Sequence, residues 1–210
     1  MGEKQQPARL RPVTETSELL RAIEAIAQRF SPSTDGNRAT LATALREATV
    51  AASASALYTA AEHFRERPDV AVVLLEDVVQ AEPNNARALV RLANNYWLLG
   101  AGPKPVAELA SRAIALDPSD RAAWHLWALS EERPRDRVGR WQQVATRFPA
   151  DDLALANVAD NAASVAGAEH DYEMVDIAIA AYEQLRARAR RDEERDAVDR
   201  ALTTLRGWRF

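Results

Sequence analysis

Apolar residues recurring at three- and four-residue steps between prolines are what most constrain this chain. From Ala86 to Pro118, the residues Leu89, Leu92, Ala93, Tyr96 and Leu99 fall on one face of a helix. Gly100 to Pro105 then stops that helix, since Gly takes up the left-handed conformation that ends helices, and Pro103 and Pro105 suit only the first turn of the next. Val106, Leu109, Ala110, Ala113, Ile114 and Leu116 form a second apolar face, closed by Asp117-Pro118-Ser119. Trp124 and Trp127 begin a third. The small residues Ala93, Ala110 and Ala113 let helix backbones approach closely, and Tyr96 fills the space beside them. The reading is two antiparallel helices joined by a Gly/Pro turn, with the rest of the chain repeating the device.

Pro83 and Pro118 are 35 residues apart, and Pro149 follows 31 residues later. Within that period Leu89, Leu92-Ala93, Tyr96, Val106, Ala110, Ala113 and Pro118 stand in the order of a known motif. The stretch resembles a tetratricopeptide repeat: a large residue, Leu-Gly-x-x-Tyr, Ala-x-x-x-Phe, a small residue and a closing Pro. Leu92, Tyr96, Ala113 and the Asp-Pro close match. Leu89 stands where Trp is usual, Ala93 for Gly, Val106 for Ala and Ala110 for Phe. The following unit keeps Trp124 at the large position, puts Trp127 at the Leu position, and carries Val138, Trp141, Val144 and Phe148 in its second helix. The preceding one keeps Ala71, Leu75, Val78 and Pro83.

The resemblance implies an all-α fold, an array of antiparallel helix pairs winding into a right-handed superhelical solenoid. It implies a protein–protein interaction module, an adaptor, scaffold or accessory subunit rather than an enzyme, binding a protein or peptide through a concave groove. In that family the first helix of each pair lines the groove. Carrying its phase onto this chain points Arg87, Val90, Arg91, Asn94, Trp97 and Leu98 into the groove, with His125 and Leu129 at the matching positions of the next repeat. Arg87, Arg91 and Asn94 echo part of the set with which carboxylate-binding members grip a partner's C-terminus, whereas Val90 and Ala122 do not. Tyr96 and Trp97 are adjacent and so point about 100° apart on a helix. If Tyr96 faces the core, Trp97 faces the groove; the alternative packs Trp97 against the neighbouring repeat.

Along the chain, residues 1–13 read as a polar, disordered tail, 14–50 as N-terminal capping helices, 51–185 as the repeat array and 186–210 as a C-terminal capping helix. Leu19, Leu20, Ile23, Ile26, Ala27 and Phe30 form an apolar stripe, and Ser31 to Asn37 reads as a turn. Arg38 to Arg67 is one helix or two, because Thr49, Val50, Ser53 and Ser55 are weaker helix formers. A helix from Asp151-Asp152 runs to about Val165 with Ala159, Ala162 and Ala163 inward. Gly167 to Asp171 reads as a loop, and Tyr172 to Arg190 as a long helix. The charged stretch Arg186 to Arg195 reads as the solvated end of a helix continuing toward Val198, Leu202 and Leu205. Trp208 and Phe210 either cap the array or dock on another chain, and docking would make the protein self-assembling, a homo-oligomer.

Composition excludes other classes. No cysteine is present among the 210 residues, so disulfides, thiolate zinc sites and a cysteine nucleophile are out. The net charge is −4 with both signs mixed, unlike the basic excess of nucleic-acid binders. No run of apolar residues is long enough to span a membrane, and the N-terminus lacks the apolar core of a secretory signal, so a cytoplasmic location is expected. No metalloprotease, nucleophile-elbow or phosphate-loop motif occurs. The densest polar cluster, Glu169-His170-Asp171 with Glu173 and Asp176, is the only opening for a metal-dependent hydrolase. Its spacing matches no known motif and its place at a helix start is ordinary for acids. No catalytic residue, metal or cofactor is expected.

Overall fold

The protein is described by a computed structural model covering residues 11–30 and 35–210. Among these residues the structure is helical throughout. The chain divides into two compact units, Met1–Ala101 and Gly102–Phe210.

The first unit holds α1 (Arg11–Ala27), α2 (Asp35–Thr49), α3 (Ala54–His63), α4 (Pro68–Ala81) and α5 (Ala86–Leu98). α4 lies between α3 and α5, and α2 packs on both α1 and α4. Val70, Leu74 and Val78 of α4 are fully buried, as are Leu89 and Ala93 of α5 and Ile23 and Leu45 before them. The segment 38–67 is two helices. Thr49 Oγ1 turns back to donate to the Leu45 carbonyl, Val50 stands 85% exposed, and Ser53 Oγ accepts from the Ala56 amide to cap the new helix. Residues 1–10 of the expected tail and 31–34 of the expected turn lie outside the described residues.

The second unit holds α6 (Pro103–Leu116), α7 (Arg121–Leu129), α8 (Pro134–Arg147), α9 (Asp152–Glu169), α10 (Tyr172–Arg188) and α11 (Asp192–Gly207). Each packs on the next in sequence. Val106, Ala110 and Ala113 of α6 are fully buried, whereas Leu116, read above as inward, is 44% exposed at the last turn. Trp141 is buried with Leu155 and Val158, and Leu205 of α11 joins Val138, Val165 and Met174.

The punctuation repeats. Pro68, Pro103 and Pro134 each stand in the first turn of a helix, where a missing N–H costs nothing. Pro83, Pro118 and Pro149 are each followed two residues later by the N-cap of the next helix: Asn85, Asp120 and Asp151. α5 ends in a Schellman arrangement: the Ala101 amide donates to the Tyr96 carbonyl at 3.0 Å and the Gly100 amide to that of Trp97 at 3.1 Å. Gly100 takes a φ of +67° to make this possible.

Two boundaries differ from the sequence reading. α9 does not stop near Val165 but runs through Gly167 to Glu169, with Trp208 lying over Gly167 so closely that a Cβ there would come within 3.2 Å of the indole. His170 then takes the left-handed conformation at φ +56° and Asp171 caps α10. The charged stretch after α10 is not a continuous helix. The chain breaks at Ala189–Arg191, where Glu194 accepts from the Arg191 amide and side chain to start α11.

Candidate functional site

α5 is amphipathic, and its two faces have different fates. Asn85 starts it by accepting from the Ala88 amide while donating to Glu82. Ala88, Leu89, Leu92 and Ala93 are buried, so the helix cannot rotate without exposing them. The opposite face then presents Arg87, Arg91 and Asn94, three or four residues apart. Trp97 and Leu98 continue it at the C-terminal end, 40% and 59% exposed. Trp97 is the one exposed tryptophan among the described residues and has no ring or cation partner there.

The polar members differ in freedom. Arg91 reaches across to α3, its Nη2 lying 2.7 Å from Glu62 Oε2. That pair is half exposed, worth at most about 1 kcal/mol, and it fixes the direction of the guanidinium more than it stabilises the fold. Arg87 is exposed and has no ion-pair partner among the described residues. Asn94 is half-buried. Val90, placed on the groove side by the repeat phase, is instead 8% exposed. Its neighbour Asn95 is buried too, donating to the Arg91 carbonyl at 2.8 Å. The apolar stripe is therefore wider than the Leu89–Leu92–Tyr96 line alone indicates.

Tyr96 lies between the two faces. Its hydroxyl donates to Glu76 Oε1 at 3.0 Å, and Glu76 in turn pairs with Arg46 at 2.6 Å. Burial and the neighbouring Glu76 charge push the phenol up to about 12.

The other anticipated positions belong to the second unit. His125, on α7, has its Nε2 2.5 Å from Asp151 Oδ2 and its ring edge-on to Trp141 at 5.3 Å. Asp151 is 5% exposed and uses its other oxygen to cap α9, accepting from the Leu153 and Ala154 amides. Burial raises its carboxyl, but the His125 hydrogen bond, the Ala154 amide and the charges of His125 and Arg121 outweigh it and hold the group below the usual range. This His–Asp tie was readable only as an N-cap, since the partner lies 26 residues away. Trp208 sits against Gly167, and Phe210 stacks on His170 at 4.9 Å and exchanges hydrogen bonds with the Tyr172 hydroxyl, all within the chain.

Part of the 169–176 cluster serves local structure. Asp171 caps α10, and Arg135 binds both Glu169 and Asp171. Among the described residues no group of three or more His, Asp or Glu side chains is placed to hold a metal ion, and no helix is long and apolar enough to cross a membrane.

No family model matches the chain, and no curated protein does. Solved structures do. YrrB, described as a TPR protein with an unusual peptide-binding site, is 21% identical over 80% of this chain and 80% of its own, with a TM-score of 0.54. TTC0263, a TPR protein of Thermus thermophilus, is 14% identical over 90% and 99%, with a TM-score of 0.56. PilF of Pseudomonas aeruginosa is 14% identical over 92% and 89%, at 0.51. At these identities the likeness is one of fold. Helices punctuated by proline at a repeating interval and these neighbours together make the chain a helical-repeat protein of tetratricopeptide-like fold.

Proposed function

We propose that the protein is a binding module for another protein or a peptide, with the outer face of α5 as its contact surface. The observation that carries this reading is the pairing of an exposed indole, Trp97, with an unpaired guanidinium, Arg87, on a helix whose other face is locked into the core. Trp and Arg are the residues that most often dominate interfaces. Leu98 adds apolar area, and Arg91, held by Glu62, presents a pre-oriented donor fork, which lowers the ordering cost of association. The peptide-binding site described for YrrB supports the same class of role. In this role the chain acts as an adaptor or scaffold and performs no chemistry of its own.

Partner proteins captured from a native lysate supply the ligand for a quantitative test. Arg87→Glu combined with Arg91→Glu is expected to leave the melting temperature nearly unchanged, as surface changes do, and to weaken binding by roughly 2 kcal/mol. Trp97→Ala is expected to do the same. Lowered melting with intact affinity in both variants overturns the assignment.

A further inference from the structure

Beyond α11 the chain folds back on the corner between α9 and α10. Trp208 is extended, at φ −65° and ψ 138°, so Trp208 and Phe210 share one side of the segment while Arg209 stands exposed. The Trp208 amide still donates to the Leu205 carbonyl at 3.1 Å. From there on the segment has no helical ladder and is held to the corner by side-chain contacts.

The corner meets the segment at two points. At the first, the Trp208 indole lies on Gly167 in the last turn of α9, where a Cβ would stand 3.2 Å from the indole Cη2. Glycine is a poor residue for a helix, and here it leaves the room that the ring occupies. At the second point, the Tyr172 hydroxyl engages both backbone polar groups of Phe210. It accepts from the Phe210 amide at 2.9 Å and donates to the Phe210 carbonyl at 3.3 Å. The Phe210 ring stacks on His170, centroids 4.9 Å apart, and tilts against Tyr172 at 5.1 Å. The first point belongs to α9 and the second to the turn and start of α10.

The helices beneath do not depend on these contacts. Val165 and Ala166 of α9 and Val175 and Ala178 of α10 are buried in one cluster with Val138 and Leu205. Lifting the segment leaves that cluster in place and gives up two hydrogen bonds and the contacts of two rings. Those rings are already partly in water: Phe210 is 43% exposed and Trp208 half-buried. Segments with few buried contacts open locally at far lower cost than the whole fold. Because only Arg209 separates the two anchors, loss of one loosens the other. We propose that Trp208–Phe210 is a latched strap, which opens as a unit while α9, α10 and α11 stay folded, with Gly167 and Tyr172 setting the open fraction. Only the open state presents both rings in full, so any binding through them is scaled by that fraction.

The test changes one end of the strap and reads the other by NMR, in the full chain. Gly167→Leu puts a side chain under the indole without touching Tyr172, and Leu suits a helix better than Gly. The Phe210 amide is then expected to exchange with solvent about tenfold faster than in the parent. The amide of the fully buried Ala178 in α10 is expected to keep its parental rate, and the melting temperature not to fall. Should that variant fold poorly, Gly167→Ala gives the same readout with a smaller change. In the converse experiment, Tyr172→Phe keeps the ring and removes both hydrogen bonds. The Trp208 indole resonance, identified by its loss in Trp208→Phe, is expected to move toward its position in the unfolded chain. Three results overturn the proposal: a parental Phe210 amide that exchanges no faster than that of Ala178, a Phe210 amide indifferent to the Gly167 changes or accelerated only together with Ala178, or an indole resonance indifferent to Tyr172→Phe.

Discussion

Tyr96 shows how one residue joins the repeat pattern to electrostatics. Its spacing puts it beside the apolar face of α5, and the hydroxyl at its tip finds a partner in Glu76, itself paired with Arg46. Because the folded chain keeps the phenol protonated up to about 12, it binds that proton more tightly than the unfolded chain, whose tyrosines titrate near their ordinary value of about 10. Stability from this residue is therefore complete below about pH 10 and is lost as pH rises toward 12. Tyr96→Phe is expected to cost about 1 kcal/mol at neutral pH and to flatten the fall in melting temperature between pH 10 and 12, leaving the part due to Tyr182, which burial and the Asp160 contact also push up. A variant that falls as steeply as the parent removes Tyr96 from the alkaline limb. The tyrosine's position was legible from its spacing; Glu76 and Arg46, on other helices, were not, because pairing of exposed charges leaves no periodic trace.

Helix starts and stops are largely local chemistry, and there the sequence was most readable. The Gly/Pro turn before α6 and the two-residue spacing from Pro83, Pro118 and Pro149 to Asn85, Asp120 and Asp151 are all visible in the chain alone. What escaped involves distant partners: Gly167 is helical and covered by an indole 41 residues later, and Val90 is buried by packing that its own helix does not announce. The caps separate local from long-range contributions. Asp120→Ala removes two backbone hydrogen bonds at an intermediate site and should cost about 1 kcal/mol. Asp151→Ala also strands His125 and should cost about 2 kcal/mol or more, and Asp151→Asn should recover the capping share. Thermal melts of the three variants check the order; equal losses at Asp120 and Asp151 deny the His125 tie any energetic weight.

Across the whole molecule, fold class was legible because repeats multiply a weak signal, while the binding surface rests on single side chains that no repetition reinforces. The same distinction governs acid stability. Asp69 and Asp151 lose by burial but gain more from their partners, Arg67 for the first and His125 for the second, so both stay ionised below the usual carboxylate range. A depressed folded value contributes stability that is full above the unfolded value of about 4 and is lost as pH falls below it. The melting temperature should hold from neutrality down to about pH 5 and drop steeply under pH 4, the drop shrinking in Asp69→Asn; a steady decline from pH 7 would contradict this. Exposure also differs sharply among the five tryptophans. Trp141 is 3% exposed and Trp97 40% exposed, with Trp124, Trp127 and Trp208 half-buried between them, so emission is expected to grade from a shielded blue component to a red one that iodide quenches most readily. The share of quenchable emission lost in Trp97→Phe is then the optical signal of α5, and its occupancy can be followed by light without a label.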